Sequence, residues 1–165
     1  MSGKHRFNGR AGLAFGALAG LAGTAVMMVL RTYDQHYAPA TIPRMRRDPG
    51  ELIVTKSEKA VGLEGKIPDG AEKAAQMVTP LAYGTLAGTL YAAIRGRRRG
   101  GSALLDGAII GVGLYAAGYA GWLPLLKLSP PAWKHPLPQI AGEALRHVVY
   151  GVSTAAAYGV MNALR

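Results

Sequence analysis

The chain has 165 residues, of which half are hydrophobic, 17% are charged and 23 are glycine. The net charge is +10, but the charges lie mainly at the ends of long apolar runs. This pattern excludes an ordinary soluble domain and argues against a basic nucleic-acid-binding face. Because there is no cysteine, disulfides, thiolate metal ligands and cysteine nucleophiles are excluded as well.

Four apolar segments are long enough to cross a bilayer as helices: 11–30, 74–94, 103–126 and 140–164. A helix of about 20 residues is about 30 Å long, which matches the hydrocarbon core. The first segment follows a basic tail, as in a secretory signal peptide, but its apolar run exceeds the about 7–15 residues of a signal core. The sequence therefore predicts one all-α domain, an integral membrane four-helix bundle.

The distribution of lysine and arginine predicts the orientation of this bundle. Four arginines lie between 95 and 99, three basic residues precede the first segment, and only two lie in 127–139. Since cytoplasmic loops carry the excess of these residues, both termini are predicted to be cytoplasmic. The segment 31–73 is then an outer loop of soluble composition, with a short amphipathic helix expected after Asp48 and Pro49.

Small residues recur at intervals of four in the apolar segments. The set comprises Gly12, Gly16, Gly20, Gly84, Gly88, Gly107, Gly111 and Gly151. Helices in lipid associate through close backbone approach, so these positions predict a tight bundle or a homo-oligomer. The spacing Tyr83-Gly84 to Tyr91 equals that of Tyr150-Gly151 to Tyr158, which indicates a duplicated helical hairpin or a chance match.

Polar residues form a stripe on the second and fourth segments. Its members are Gln76 and Tyr83 on the second, with Glu143, His147, Tyr150, Thr154 and Tyr158 on the fourth. At 100° per residue, the members on each helix share one face. Because polar groups in membrane helices face the protein interior, the two halves of the stripe are predicted to meet.

Glu143 and His147 are the strongest candidates for function, since they are one helical turn apart. Together with His36 and His135, they could form a proton-responsive or metal site on the predicted outer face. The spacing matches no established metal motif, and a structural hydrogen-bond network is the favoured explanation of the pair. Asp106 has a structural explanation in the second turn after Ser102, with the arginines at 97–99 as partners. The sequence therefore predicts no catalytic residue, resident metal or cofactor.

The C-terminal part of the chain carries a family resemblance. Pro130-Pro131, Pro136, Pro138 and then Glu143-x3-His147-x2-Tyr150-Gly151 resemble the YagU-type family of small bacterial inner-membrane proteins of unknown function. Tyr83-Gly84-x3-Gly88-x2-Tyr91 and Ala38-Pro39-Ala40-x2-Pro43 are also similar to it. The resemblance implies a bacterial inner membrane, four helices and no established enzymatic activity. The second span of that family often carries a histidine where this chain has Pro80 or a neighbour, which argues against a histidine pair.

These observations predict a non-enzymatic inner-membrane protein that acts as an accessory, assembly or envelope-stress partner. Its predicted contacts are the lipid bilayer and a membrane protein partner or a second copy, and not nucleic acid. The alternative is a small transporter or proton-responsive channel built on the polar stripe.

Overall fold

The computed structural model describes residues 9–43, 49–96 and 102–164, and these residues are helical without any strand. The helices are α1 (Gly9–Tyr37), α2 (Pro49–Ala60), α3 (Asp69–Arg95), α4 (Ala103–Tyr115), the three-residue α5 (Leu123–Leu125) and α6 (Leu137–Ala163). A π-helical segment, Ala116–Trp122, joins α4 to α5, and short 3-10 turns lie at Pro39–Thr41 and Ala132–Lys134. The all-α class predicted from the sequence is confirmed.

Three helical stretches among the described residues are long and apolar enough to cross a membrane: Gly9–Tyr37, Asp69–Arg95 and Ala103–Leu125. They coincide with the first three predicted spans. Helix α6 has 27 residues but is not among them, and its first half carries Glu143, Arg146 and His147. The structure therefore supports a helical protein with three candidate spans, whereas the fourth span stays a prediction.

The long helices pack side by side in antiparallel pairs. Helix α1 packs against both α3 and α6, and α4 packs against α6. Gly16 faces Gly88, whereas Gly20, one turn later in α1, faces Gly84, one turn earlier in α3. In α4 and α6, likewise, Gly107 faces Gly151, whereas Gly111, one turn later in α4, faces His147, one turn earlier in α6. This alternation of direction is the one that successive membrane spans require.

The predicted packing glycines are all buried. A methyl group on Gly88 would lie 2.5 Å from the Cα of Gly20, and one on Gly107 would lie 2.7 Å from the Cβ of Ala155. Both distances are shorter than van der Waals contact, so only glycine allows the helices to approach this closely. We call the part of the bundle held by Gly16, Gly20, Gly84, Gly88, Gly107, Gly111 and Gly151 the glycine half.

Helix α2 begins at Pro49, where the sequence predicted an amphipathic helix, and packs against α3. Its Lys56 donates a hydrogen bond to the carbonyl oxygen of Leu126, just after α5. The turn from α2 to α3 contains Gly62 with φ of 72° and Gly65 with φ of 69°. Glycine adopts this left-handed region without a steric penalty, which explains how the chain reverses here.

Candidate functional site

A buried arginine joins three elements at the end of the bundle where α1 finishes and α6 begins. Arg146 on α6 is 1% exposed. Its Nη1 donates to Asp34 Oδ2 on α1 at 2.5 Å, and its Nη2 donates to Glu143 Oε1 and to the Thr41 carbonyl oxygen, each at 2.9 Å. We call this end of the bundle, marked by Asp34, Thr41, Glu143, Arg146 and His147, the cluster end.

The pairing of Arg146 follows from the cost of burying charge. An ionised side chain removed from water is tolerated only when opposite charges and hydrogen bonds replace its hydration. Asp34 and Glu143 supply the charges, and the carbonyl of Thr41 adds a further acceptor. Removal of the guanidinium would leave two carboxylates together in the same buried place. The arginine therefore fixes the chain after α1 against the first turns of α6.

The imidazole of His147 has a defined tautomer in its neutral form. Its Nδ1 lies 2.8 Å from the backbone carbonyl oxygen of Glu143, and 3.9 Å from the Oε2 of the same residue. Because a carbonyl can only accept, Nδ1 carries the proton and Nε2 presents a lone pair. The ring packs edge-on against Tyr115 and Tyr119, with centroid distances of 5.7 Å and 6.1 Å. The predicted contact with Glu143 is thus made mainly to its backbone.

A cavity of about 160 Å³ lies beside this cluster, between the long helices. Its apolar and aromatic wall is formed by Met27, Pro43, Tyr83, Leu114, Gly118, Tyr119, Trp122 and Leu123. Its polar wall is formed by Arg31, Glu143, Arg146 and His147. The cavity is therefore amphipathic, with charged groups on one wall and aromatic rings on the other.

The π-helical segment shapes the cavity. It departs from helical geometry at Gly121, where φ is −107° and ψ is −106°. Single π-helical turns add a residue to a helix and occur frequently at functional sites. Here the segment contributes Gly118, Tyr119 and Trp122 to the cavity wall. The Trp122 ring lies 6.5 Å from that of Tyr83 on α3, centroid to centroid.

The two halves of the predicted polar stripe meet, although not along their whole length. The hydroxyl of Tyr150 donates to the carbonyl oxygen of Gly84 at 2.7 Å, which joins α6 to α3. Tyr158 meets Tyr91 edge-to-face with ring centroids 5.6 Å apart. Thr154 is buried, and Tyr83 lines the cavity. Gln76 makes its hydrogen bond within α3 to Glu72 and so lies apart from the meeting point.

The candidate outer-face site of His36, His135, Glu143 and His147 does not assemble. His36 is exposed and packs on Tyr37, whereas His135 bonds with Ser129, Gln139 and the carbonyl of Pro130. Within 9–43, 49–96 and 102–164, no three His, Asp or Glu side chains are grouped so as to hold a metal ion. The grouping depended on loop positions that the spacing of these residues could not fix.

Asp106 has the structural environment expected of it, and Arg95 is one of its partners. The Ser102 hydroxyl accepts from the backbone N–H of Leu105 at 3.3 Å and caps α4. Asp106 pairs with Arg95 at the end of α3, also at 3.3 Å. The arginines at 97–99, which were the predicted partners, lie outside the described residues.

Sequence reasoning missed Thr41, Arg31, Tyr119 and Trp122 as members of the site. Asp34 carries a usable signal, since it is an acid placed just after an apolar run and must find a cation if its helix continues. The role of Tyr119 depends on the π-helical turn, for which the sequence offers no recognisable pattern. In comparisons with known proteins, no family model, curated protein or solved structure matches the chain.

Proposed function

We propose that this chain is a non-enzymatic integral membrane protein that crosses the bilayer four times, with both termini in the cytoplasm. Its role is that of an accessory or assembly partner for another membrane protein. The observation that carries the proposal is the pairing of both Nη atoms of Arg146, which holds Thr41 in the segment 38–43 against α6. An arginine engaged on both Nη atoms by protein groups serves to hold a surface in shape.

The packing of α6 supports a fourth span. Its charged residues Glu143 and Arg146 are buried against α1 and the turn that follows it. The opposite face of α6 presents apolar side chains, with Leu145 60% and Val160 59% exposed. A helix that hides its charges in the bundle and exposes leucine and valine suits a lipid environment. Leu86 on α3, which is 71% exposed, is likewise suited to contact with lipid.

Cysteine accessibility tests the orientation, because the chain has no native cysteine. Single cysteines at Ser57 on α2 and at Ser102 before α4 occupy exposed positions on opposite sides of the proposed membrane. A membrane-impermeant thiol reagent added outside is expected to label Ser57→Cys and not Ser102→Cys. The reverse pattern would contradict the proposed orientation.

Site-specific photo-crosslinking tests the partner role. A benzophenone amino acid replaces Lys59, which is exposed on α2, or Leu86, which faces outward from α3. The proposal predicts a discrete protein adduct from position 59 and only lipid adducts from position 86. Identical adducts at both positions, or lipid alone at both, would argue against a partner bound through α2.

A small transporter or proton-responsive channel is the second candidate, and the polar cavity favours it. Glu143 and His147 line that cavity, and imidazole changes its charge within the physiological pH range. Against continuous conduction, the glycine half is filled by buried Ala19, Tyr91 and Tyr158. Proton or ion flux through reconstituted protein between about pH 5 and pH 8, altered by His147→Ala, would establish this candidate instead.

A further inference from the structure

We propose that the cavity at the cluster end binds a small neutral molecule with one aromatic ring and one hydroxyl donor, of the class of phenol. The inference goes beyond the accessory role and does not depend on it. It rests on four properties of the cavity: its volume, its aromatic wall, the balance of charge at its polar wall, and an acceptor atom that His147 leaves open.

The volume sets the size of the ligand. At about 160 Å³, the cavity is close to the 150 Å³ apolar cavity that, in another protein, holds one benzene molecule. Sites for drug-sized ligands are larger, about 300–1,000 Å³. A single six-membered ring with one small substituent therefore fits, whereas a nucleotide does not.

The apolar wall sets the shape of the ligand. Tyr83 and Trp122 offer aromatic surfaces whose centroids are 6.5 Å apart, and Met27, Leu114 and Leu123 complete the apolar lining around them. Aromatic rings pack favourably against such surfaces in offset or edge-on geometry. The apolar part of the ligand is therefore expected to be a flat aromatic ring.

The polar wall has no charge to spare for a ligand. Arg146 is buried between the carboxylates of Asp34 and Glu143, and both of its Nη atoms already donate to protein groups. Its Nε is buried as well and is closed to a molecule in the cavity. The second arginine of the wall, Arg31, has an interaction of its own. A charged molecule would lose its hydration here without finding an unpaired counter-charge, so the wall favours a neutral ligand.

The imidazole of His147 sets the polar group of the ligand. Its Nδ1 donates to the carbonyl oxygen of Glu143, and within the described residues no group forms a hydrogen bond with its Nε2. The side chain is only 13% exposed, yet Nε2 is not among the polar atoms that are both buried and without a partner. Nε2 is therefore accessible to a small molecule, and His147 lines the cavity. Because Nε2 of the neutral ring carries a lone pair, the matching group is a hydrogen-bond donor.

Phenol meets all four conditions. Its ring packs against Tyr83 and Trp122, and its hydroxyl donates to Nε2 of His147. It is neutral at about pH 7, because a phenolic hydroxyl has a pKa of about 10. Anisole has the same ring and oxygen, but a methyl group replaces the hydroxyl hydrogen. It would occupy the cavity and leave Nε2 without a donor, which makes it the matched control ligand.

Fluorescence of Trp122 provides a direct measurement, because the chain has only two tryptophans. The other, Trp133, is 69% exposed and outside the cavity, so Trp133→Phe leaves Trp122 as the single reporter. The full chain with this substitution is titrated in detergent micelles at about pH 7 with phenol, anisole, benzoate and benzylammonium. We expect a saturable change with phenol, binding about tenfold weaker for anisole, and none for the two ions.

His147→Phe tests the acceptor. Phenylalanine keeps a ring for packing against Tyr115 and Tyr119 but has no nitrogen lone pair. We expect phenol to bind about tenfold more weakly in this variant and anisole to bind as before. Since partitioning into the micelle affects all variants alike, the ratio of the two affinities isolates the hydrogen bond. A ratio that His147→Phe leaves unchanged would contradict the assigned acceptor.

Two glycine substitutions show whether the signal comes from the cavity. A methyl group on Gly118, which lines the cavity, would lie 3.9 Å from Leu123 Cδ1 and 4.0 Å from Trp122 Nε1. These are ordinary contacts, so Gly118→Ala preserves the fold but occupies ligand space. We expect it to weaken the binding of both phenol and anisole about tenfold or more, as a single misplaced methyl group does in a close-fitting pocket. Gly113→Ala, at a position with nothing within 4 Å among the described residues, should leave binding unchanged.

Several results would overturn the proposal as a whole. These are no saturable response to phenol up to about 10 mM, binding of benzoate or benzylammonium as tight as that of phenol, or equal loss of binding in Gly113→Ala and Gly118→Ala. Quenching of Trp122 by a brominated-chain detergent that phenol does not relieve would show that an acyl tail, and not a phenol, fills the cavity. Empty micelles titrated in parallel remove the contribution of partitioning.

Discussion

The glycine half and the cluster end of the bundle use opposite kinds of residue to hold the same helices together. In the glycine half, backbones touch directly, and a methyl group on Gly111 would lie 2.8 Å from the carbonyl carbon of His147. At the cluster end, Arg146 and the rings of Tyr119 and Trp122 stand between the helices and leave a cavity. Close packing and open volume thus lie next to each other along α6.

The two regions therefore differ in role: one packs the helices closely, and the other presents functional groups. Small residues let helices approach and gain dispersion contacts, but they offer no functional group to a ligand. Large polar and aromatic residues keep the helices apart. The polar groups among them then need hydrogen-bond partners, which are either one another or molecules that enter between the helices. The comparison predicts that substitutions in the two regions have different consequences, and it ranks them.

The largest effect is expected from the buried arginine. Arg146→Met keeps most of the side-chain volume but leaves Asp34 and Glu143 without their shared cation. Removing one member of a buried ion pair typically costs about 3–5 kcal/mol in the free energy of unfolding. Thermal unfolding in detergent measures this loss, with Arg10→Met at an exposed position as the control. Equal stability of the two variants would show that the cluster does not hold the bundle together.

The next effect is expected in the glycine half. In Gly88→Ala the added methyl group overlaps the Cα of Gly20, so α1 and α3 must separate. Overpacking of this kind costs about 1–3 kcal/mol. Gly113→Ala is the matched control, and alanine there should be neutral or stabilise by up to about 1 kcal/mol, because its helix propensity exceeds that of glycine. If Gly88→Ala melts like Gly113→Ala, the helices do not touch as described.

A smaller effect is expected where the two regions join, at the hydrogen bond from Tyr150 to the carbonyl of Gly84. Tyr150→Phe removes only the hydroxyl. Interhelical hydrogen bonds in membranes average about 0.6 kcal/mol and reach about 1.7 kcal/mol, so a loss in this range should appear in the unfolding free energy. Tyr33→Phe, at a ring that is 57% exposed, should show no change. A stabilised Tyr150→Phe would mean that the bond is not formed.

The smallest effect is the coupling between Glu143 and His147. Because His147 bonds to the backbone oxygen of Glu143, that bond survives Glu143→Ala. A double-mutant cycle with Glu143→Ala and His147→Ala should therefore be additive to within about 0.5 kcal/mol. A larger coupling energy would show that the carboxylate, and not the carbonyl, holds the imidazole.

The sequence predicted the parts of the fold that depend on local pattern. Apolar length predicted the helices, the interval of four predicted Gly84 and Gly88 as contact residues, and the helix start at Pro49 was correct. Long-range pairing could not be predicted, since nothing near Asp34 indicates that its partner is Arg146. The grouping of His36 and His135 with Glu143 and His147 depended on long-range pairing in the same way.

Two further features of the site could not be predicted from the local sequence pattern. Whether an imidazole bonds to a neighbouring carboxylate or to its backbone depends on rotamer geometry, which one-turn spacing leaves undetermined. The residues of the π-helical segment, Ala116–Trp122, carry no distinctive composition. Tyr119 and Trp122 therefore entered the cavity wall without a sequence signal.

The central claim is that the bundle leaves an open volume at the cluster end and is closely packed in the glycine half. Leu123→Cys and Thr154→Cys test it directly, since the native side chains are 5% and 1% exposed but only Leu123 lines the cavity. A small, charged methanethiosulfonate reagent is applied to each single-cysteine protein in micelles, and the labelled fraction is measured by mass spectrometry. The account predicts rapid labelling of Leu123→Cys and none of Thr154→Cys in the folded protein. Equal labelling rates at the two positions would contradict it.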